Sequence, residues 1–428
     1  MTDTVTENTP DFTPEAITLT VWNASADIYG VTWQSKDMGS PVLEYTDEND
    51  TDFAHAKRIP GKVSESTGTY KNTAEIAGLS PNEKCLYRVG DESGVFSSPA
   101  VFKALSHDPD SLDMLVVTDT QDGENLGRWF PFAWRDALGR YPETELVLNV
   151  GDIVQEGGNS MLWREMFAIN SDFTRTIPML PTAGNHDYWY GYLHGYDSVT
   201  YKHFNIDIPP QDTRHGMYYS LDVGPVHFTV LSSGDSMETD SQGLVPEQYE
   251  WAKRDIAASD KKWKIVSCHN PLYSPGKYGS RHPIYGVALA LREQFNAFFC
   301  ESGVDLVLCG HDHVYARTYP IKPDGYPDTA FSYLTEKVEG IDAQIALDPT
   351  GPIHFEAGYA GNQFRCIEDN ISDFFAKDFA AMDNMIYGTV AYARLLIKGN
   401  DLTVVMRLCS VNTGETVKEY AFGIRKMK

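Results

Sequence analysis

The chain has 428 residues, which predicts two or three domains, each large enough to bury a hydrophobic core. Hydrophobic residues make up 42% and charged residues 22%, so neither a long coiled coil nor a disordered acidic tail is expected. The 60 acidic residues outnumber the 35 basic ones and give a net charge of −25. Such a surface repels phosphate backbones and anionic lipids, so we expect neither nucleic acid nor a membrane as a partner.

The sequence also bears on the compartment. No apolar run approaches the roughly 20 residues that cross a bilayer, and residues 1–15 are polar and acidic rather than an apolar signal peptide. We therefore expect a cytoplasmic protein, or a secreted one if an export signal has been removed. The six cysteines lie far apart with no CxxC pair, and we expect free thiols rather than disulfides or a zinc knuckle.

Short strands are predicted after a flexible N-terminus of residues 1–15. Residues 17–21 alternate apolar and polar side chains, the pattern of a half-buried strand. Further strands, separated by Gly, Asn, Asp and Ser clusters, predict an all-β sandwich of the immunoglobulin or fibronectin type III kind over residues 16–106. Tyr87 is predicted to lie at a corner where its hydroxyl bonds back to the backbone of the sandwich.

The pattern changes in residues 112–428, where short apolar runs alternate with helical stretches. This alternation predicts an α/β domain with mainly buried strands. Leu291, Phe295, Phe298 and Phe299 have the spacing of one buried helix face. Strands return from about residue 351, and we expect them to complete a second sheet packed on the first.

Polar side chains follow five of the predicted buried strands, at the point where each strand ends. Because the carboxyl ends of strands line the crevice of an α/β sheet, these side chains can converge although they span almost 200 residues. Glycines precede Asp152, Asn185 and His311, and we expect them to let the backbone turn sharply. The complete set is Asp119, Gln121, Asp152, Asn185, His186, Asp187, His269, His311 and His313.

These residue types indicate a metal centre. Carboxylate and amide oxygens mixed with imidazoles suit zinc, manganese or iron better than calcium or magnesium. With this many candidate ligands, two adjacent metal ions are the natural arrangement, and such pairs activate water for in-line displacement at phosphorus. Two divalent ions less two Asp carboxylates leave a charge of about +2, which attracts a phosphate that the acidic surface repels.

In this order the motifs resemble those of the calcineurin-like metallophosphoesterases. Residues 310–320, the preceding sandwich and the late motif 357–362 are similar to the purple acid phosphatase branch, and the resemblance extends from about residue 16 to residue 425. It implies a four-layer α/β/β/α catalytic domain. It also implies that His186 acts near the leaving-group oxygen as general acid or transition-state stabiliser, oriented by Asp187. The implied ligands are Asp119, Asp152 and His313 for metal one, and Asp152, Asn185, His269 and His311 for metal two.

Two positions depart from this resemblance. Gln121 stands where the superfamily usually has a histidine, and Gln155 stands where the purple branch has its tyrosine ligand. We expect Gln121 to offer its neutral amide oxygen to metal one, the alternative being a weakened or empty metal-one site. Without a phenolate from this motif, we expect a colourless protein that favours divalent ions over Fe(III).

Substrate contacts are predicted less directly. Arg317 is a candidate for facing the phosphate, and Tyr273 and Arg281 are candidates within the loop of residues 270–286. Core packing, a solvated loop and a structural ion pair are the alternatives for these residues. Aromatic side chains that follow the Asn-His motif are candidates for the pocket wall: Tyr188, Trp189, Tyr190, Tyr192 and Tyr196.

The function that this pattern favours is hydrolysis of small phosphate monoesters by a binuclear enzyme containing Fe, Mn or Zn, with in-line attack of a metal-bound hydroxide. One alternative is a phosphodiesterase acting on nucleotides or phospholipid headgroups. The other is a catalytically weak binding or adhesion protein that uses the sandwich for recognition. The natural substrate and the oligomeric state remain open at this point.

Overall fold

The computed structural model describes residues 9–66, 68–122, 127–188, 199–206, 217–233, 243–278, 287–367 and 377–427. Trp189, Tyr190, Tyr192, Tyr196 and Arg281 lie outside the described residues. Within these ranges, every helix is too short or too polar to traverse a lipid bilayer.

Two four-stranded antiparallel sheets form the N-terminal β-sandwich, with strand orders β1-β2-β6-β5 and β4-β3-β7-β8. The strands are β1 (Glu15–Asn23), β2 (Ile28–Ser35), β3 (Pro41–Asp47), β4 (Lys57–Pro60), β5 (Lys62–Ser66), β6 (Thr69–Ala77), β7 (Lys84–Asp91) and β8 (Ala100–Lys103).

The catalytic part contains an eight-stranded and a seven-stranded sheet, called sheet one and sheet two below. Sheet one has the order β11-β10-β9-β21-β22-β23-β18-β17, and sheet two has the order β12-β13-β14-β15-β19-β16-β20. The strands are β9 (Ser111–Val117), β10 (Leu146–Asn149), β11 (Met179–Pro181), β12 (Tyr219–Val223), β13 (Val226–Leu231), β14 (Trp263–Cys268), β15 (Leu306–Cys309), β16 (Tyr315–Thr318), β17 (Tyr333–Val338), β18 (Ile341–Leu347), β19 (Ile353–Ala357), β20 (Phe379–Asp383), β21 (Thr389–Lys398), β22 (Asp401–Ser410) and β23 (Thr416–Arg425).

The two sheets pack face to face, and helices cover their outer faces. Tyr315 stacks on Tyr420 with ring centres 3.8 Å apart, and Phe355 meets Phe422 at 5.2 Å, which joins sheet two to sheet one. This is the predicted fold class, an all-β sandwich followed by a four-layer α/β/β/α domain. The helices are α1 (Phe130–Arg140), α2 (Ser160–Ile169), α3 (Ser171–Thr174), α4 (Asn185–Tyr188), α5 (Val199–Phe204), α6 (Pro246–Ala258) and α7 (Val287–Glu301).

The sequence predicts that the late strands complete a second sheet, but only some of them join sheet two. Strand β19 does so, parallel to β15, but β21 pairs antiparallel with β9 and extends sheet one. Leu291, Phe295 and Phe299 are buried on one face of α7, as predicted, whereas Phe298 is only partly buried. All six cysteines are free thiols, of which Cys366 is exposed.

Strand β1 is buried on both faces rather than half-buried. Its threonine side faces the catalytic domain, where the Thr18 hydroxyl donates to the carbonyl oxygen of His203 in α5 at 2.5 Å. The Trp22 indole N–H donates to the carbonyl of Phe204 at 3.1 Å, and the His203 ring stacks on Trp163 of α2 at 4.1 Å. The polar residues of the alternating pattern therefore form a domain interface.

Tyr87 also crosses this interface. Its hydroxyl donates to the carbonyl oxygen of Arg175 at 2.9 Å, just after α3. The predicted bond to the backbone of the sandwich itself was wrong, because Tyr87 reaches the neighbouring domain. The interface is thus fixed by hydrogen bonds from β1 and β7 to short helices of the catalytic domain.

Candidate metal centre

The candidate ligands meet where the two sheets come together. Asp119, Asp152 and Asn185 follow β9, β10 and β11 of sheet one, whereas His269 and His311 follow β14 and β15 of sheet two. Sequence reasoning expected one sheet edge, but the site combines the carboxyl ends of two sheets. Each sheet alone carries only part of the set, so the sheet packing assembles the centre.

Four of these residues adopt left-handed backbone conformations. The φ angles are 50° for Asp119, 52° for Asp152, 79° for His311 and 61° for His313. Non-glycine residues rarely adopt this conformation, and residues that do so concentrate at functional sites where the surrounding fold holds them. The surrounding fold thus holds four strained backbone conformations, which direct these side chains toward one point.

The neighbouring glycines have two different roles. Gly151 has a φ of 103° and provides the sharp turn predicted before Asp152. Gly184 and Gly310 do not have positive φ, which corrects the expectation for them. A Cβ on Gly184 would lie 2.2 Å from Oδ1 of Asp152, and one on Gly310 would lie 2.1 Å from Oγ1 of Thr118. Both are glycines because the carboxylate loops approach their backbone too closely for a side chain.

Carboxylates and imidazoles lie in direct contact at the centre. Nε2 of His313 is 3.0 Å from Oδ1 of Asp119, and Nε2 of His269 is 3.1 Å from Oδ2 of Asp152. Asp152, His269 and His311 can present three ligand atoms that all lie within 4.8 Å of one another. Asp152 therefore stands between the two groups of ligands.

Several buried atoms of the predicted ligands have no hydrogen-bond partner in the part of the chain that the structure describes. Buried polar atoms are normally satisfied, so a cluster of unsatisfied acceptors needs an explanation. When the imidazoles are deprotonated, these atoms carry lone pairs that suit a first-row divalent metal ion. The residues present therefore fit such ions. The atoms are Gln121 Oε1, Asn185 Oδ1, His269 Nε2, His311 Nδ1 and His313 Nε2.

Hydrogen bonds behind the ligands set the orientation of the imidazoles. Nδ1 of His269 donates to the carbonyl oxygen of Val150 at 2.8 Å, and Nδ1 of His313 donates to the carbonyl oxygen of Gln363. The backbone N–H of His311 donates to Asp119. A histidine that donates through one ring nitrogen presents a lone pair on the other, as metal ligation requires.

The electrostatics of the centre favour charged carboxylates. Burial acts to raise the pKa of Asp152, but the His269 and His186 imidazoles outweigh it and lower the pKa to about 2. For Asp119 burial is likewise outweighed by His313 and His269, and its pKa lies below the usual value. Burial and the charge of His269 hold the pKa of His311 well below its usual value, which keeps that ring neutral. Burial acts to lower the pKa of His269, but Asp152 and Asp119 outweigh it and raise the pKa to about 9, so metal binding would release a proton from this ring.

The two glutamines that depart from the family pattern lie in different places. Nε2 of Gln121 donates to Oδ2 of Asp152 at 3.2 Å, so Gln121 lies among the ligands. The side chain of Gln155 instead accepts from Gln363 and lies 3.1 Å from Nδ1 of His186. Gln155 therefore faces the predicted acid rather than the carboxylate pair.

His186 and Asp187 do not form the expected pair. Nδ1 of His186 donates to the carbonyl oxygen of Gln155 at 2.9 Å. The carboxylate of Asp187 instead accepts backbone N–H groups of Gly184 and Ile153, each at 2.9 Å. Burial and the charge of Asp152 raise the pKa of Asp187 to about 7. Asp187 thus ties together the loops that carry Asp152 and His186, and Gln155 orients the imidazole.

Three predicted substrate contacts make structural contacts instead. The Tyr188 hydroxyl is buried 2.7 Å from Oγ of Ser232. The Tyr273 hydroxyl donates to the carbonyl of Gly325 at 2.8 Å. Arg317 is 3% exposed on β16 and donates to Gln344. The two tyrosine hydroxyls are used within the fold. The Arg317 guanidinium is buried against the rings of Tyr333 and Phe422, although its Nε and Nη1 have no hydrogen-bond partner among the described residues.

Sequence reasoning included Tyr278 in the candidate loop of residues 270–286 but missed Arg365. The ring of Tyr278 lies 4.8 Å from that of His311, and Nη1 of Arg365 donates to the carbonyl oxygen of His311. The signal was a cation three residues after Asn362, the last residue of the late motif. Both residues are distant from the ligand in sequence and meet it only through the fold.

Comparisons with known proteins agree with this geometry. The family model "Calcineurin-like phosphoesterase" matches residues 112–315, and the model "Purple acid Phosphatase, N-terminal domain" matches residues 14–104. Purple acid phosphatase 21 of Arabidopsis thaliana is 25% identical over 403 residues, which cover 88% of this chain and 79% of that protein. Acid phosphatase type 7 of Homo sapiens is 24% identical over 374 residues, which cover 82% of this chain and 76% of that protein.

A solved structure has the same fold. The structure of purple acid phosphatase PPD1 from yellow lupin (Lupinus luteus) seeds superposes with a TM-score of 0.71 at 18% identity, covering 97% of this chain and 75% of that one. The two family models follow one another along this chain in the order of the two structural domains. Residues 112–315 therefore form a calcineurin-like phosphoesterase domain, of the metallophosphoesterase type of hydrolase, and residues 14–104 form the purple acid phosphatase N-terminal domain ahead of it.

Proposed function

We propose that this protein hydrolyses small phosphate monoesters at a centre of two metal ions, drawn from Fe, Mn and Zn. One observation carries the proposal: five predicted ligand residues each bury a nitrogen or oxygen atom without a hydrogen bond in the described ranges. A pair of ions would satisfy these atoms, because Asp152 lies within reach of both groups of ligands. Asp119, Gln121, Asp152 and His313 would hold metal one, and Asp152, Asn185, His269 and His311 would hold metal two.

When bound, the two ions supply a water-derived nucleophile at neutral pH and stabilise the charge of an in-line displacement at phosphorus. The side chains of the protein provide the remaining functions. Thr118 donates to Oδ2 of Asp119 at 2.8 Å and keeps that carboxylate in place. The backbone N–H of His186 donates to Oδ1 of Asp152 at 2.8 Å, which leaves the second oxygen directed at the ligands.

His186 is the residue that we assign to the leaving group. With Nδ1 donating to the Gln155 carbonyl, Nε2 is the ring nitrogen that can hold or deliver a proton. A side chain held in one orientation next to the reacting oxygen contributes about 10²–10⁴-fold through proton transfer. The hydrogen bond to Gln155 thus performs the orienting role that the sequence assigned to Asp187.

The test compares p-nitrophenyl phosphate with bis(p-nitrophenyl) phosphate after loading the purified protein separately with Mn, Zn and Fe. Elemental analysis of the same samples counts the ions per chain. We expect about two ions per chain and a kcat/KM for the monoester that exceeds that for the diester. Faster hydrolysis of the diester would favour the phosphodiesterase alternative. Full metal loading without hydrolysis of either ester would contradict an enzymatic function.

A further inference from the structure

Arg365 lies directly beside the ligand His311. Its Nη1 donates to the His311 carbonyl oxygen, and its guanidinium lies 5.3 Å from the ring centre of Tyr278. The Tyr278 ring in turn lies 4.8 Å from the imidazole of His311. His311 is also 9% exposed, whereas His269 and His313 are fully buried. Arg365 therefore stands at the side of the centre that opens toward solvent.

Within the part of the chain that the structure describes, the charge of Arg365 is offset only at a distance, by the buried carboxyl group of Asp312. The only hydrogen bond of Arg365 there is to a neutral carbonyl, and no described carboxylate forms a salt bridge with it. By contrast, Arg394 pairs with Asp113 and Glu339. In a chain with a net charge of −25, a half-buried cation whose acidic neighbour, Asp312, forms no direct ion pair with it is unusual.

A second cation reinforces this local charge. Nζ of Lys277 lies 5.1 Å from the ring centre of Tyr278, so cations contact the Tyr278 ring from both Lys277 and Arg365. Lys277 is exposed, whereas Arg365 is half-buried. The half-buried side chain is more restricted and less screened by solvent, which makes it the better anion ligand of the two.

We propose that Arg365 binds the phosphoryl group of the substrate beside the metal centre and favours dianionic monoesters over monoanionic diesters. With Nη1 on the His311 carbonyl, the other N–H groups of the planar guanidinium can meet two phosphate oxygens, the geometry in which arginine binds phosphate most strongly. The proposal deepens the proposed function and rests on it. It is a specificity role, separate from metal binding.

Arg365→Met, Arg365→Lys and the wild type are compared after metal loading, with Arg254→Met as a control. Arg254 is exposed on α6, so its replacement changes the net charge equally. The readouts are kcat and KM for the two nitrophenyl esters, the affinity for orthophosphate by calorimetry, and metal content. We expect Arg365→Met to weaken orthophosphate binding and raise the monoester KM by about tenfold or more. We expect a smaller rise of KM for the diester than for the monoester, and a metal content equal to that of the wild type. Arg365→Lys should recover part of the orthophosphate affinity that Arg365→Met loses.

The other outcomes separate this proposal from the proposed function. If Arg365→Met binds orthophosphate as tightly as Arg254→Met does, the proposal is overturned. If Arg365→Met loses metal, but the same variant binds orthophosphate normally once it is fully loaded with metal, the role of Arg365 is structural and the proposal is again overturned. If the wild type hydrolyses neither ester yet binds orthophosphate through Arg365, the proposed function fails and the phosphate site stands. A wild type that neither hydrolyses nor binds overturns both.

Discussion

The side-chain nitrogen of Gln121 donates to Oδ2 of Asp152, while the Gln121 oxygen is buried without a hydrogen bond among the described residues. The amide is thus fixed with its oxygen available to a cation. Gln121 occupies the position of a histidine ligand in the resemblance. A neutral oxygen binds borderline metals less strongly than an imidazole does, so metal one is expected to be the weaker site.

Replacing Gln121 with leucine should empty metal one selectively. The substitution removes the only oxygen that the side chain contributes, and we expect the metal content to fall from about two ions toward one per chain. Gln155→Leu is the matched control, because Gln155 faces Gln363 and His186. Elemental analysis after dialysis against a weak chelator measures both. Equal metal contents in the two variants would contradict a ligand role for Gln121.

The iron-loaded protein should be colourless. The strong visible band of a purple centre needs a phenolate on Fe(III), and Gln155 stands at the tyrosine position. The Tyr188 hydroxyl, the phenol closest along the chain to the Asn-His motif, is occupied at Ser232. Absorption spectra of protein loaded with Fe(III) under air provide the measurement. An intense charge-transfer band would show that another phenol ligates the iron.

His186→Asn should lower kcat while leaving metal content unchanged. We expect a loss of about 10²–10³-fold, since the ring is assigned to proton transfer and not to metal binding. His55→Asn serves as the control, because His55 is 88% exposed in the N-terminal sandwich. Steady-state kinetics and elemental analysis are performed on the same preparations. An unchanged kcat would remove His186 from the mechanism.

Asp187→Asn should destabilise the protein. The Asp187 carboxylate accepts from the N–H groups of Gly184, Ile153 and Val154, and an amide would direct its own N–H groups at some of these donors. An unsatisfied buried polar group costs about 1–3 kcal/mol, so the melting temperature should fall. Asp260→Asn, at an exposed carboxylate, is the control. A melting temperature equal to that of the control would refute the tie between these loops.

Stability should fall between pH 6.5 and 9 because of His227. Its ring nitrogens lie 2.7 Å from Asp222 and 3.0 Å from Asp255, and although burial lowers its pKa, these carboxylates raise it to about 9. The folded state thus holds a proton that the unfolded state releases near the ordinary value of 6.5. The stabilisation is complete below pH 6.5 and is lost as the pH rises through 9.

The size of this effect is about 1–3 kcal/mol after allowing for solvent screening. Thermal unfolding of the metal-free protein at pH 6.5 and pH 9 measures it, with His227→Asn as the comparison. The variant cannot take up the proton, so its melting temperature should change less over the same interval. Parallel curves for the two proteins would show that His227 is not responsible.

The strand-end ligands could be predicted because each depends on local sequence. Asp119, Asp152, His269 and His311 each follow a buried apolar strand by a few residues, and a strand that ends at a sheet edge presents the next side chain there. The packing of sheet two on sheet one could not be predicted from local sequence. It depends on face-to-face contacts such as Tyr315 on Tyr420 and Phe355 on Phe422, between strands far apart in the chain.

Residues that act across long separations were beyond local patterns. Arg365 follows His313 by about 50 residues and reaches the site only because the chain returns after β19. Arg317 was the candidate instead because it adjoins the last ligand motif, but its place on β16 turns it toward Gln344. Adjacency in sequence to a ligand is therefore a poor guide to substrate contact, since alternate residues of a strand face opposite sides.

The burial of β1 on both faces constrains how this molecule can move and how it can be divided. One face of β1 packs on the core of the sandwich and the other faces α5. The two domains cannot separate there without exposing apolar surface and breaking the hydrogen bonds from Thr18 and Trp22. We therefore expect the sandwich and the phosphoesterase domain to move together during turnover, so that substrate binding does not depend on a hinge between them. A fragment that contains only the phosphoesterase domain would expose the apolar surface of this interface. We therefore expect such a fragment to aggregate rather than to remain active.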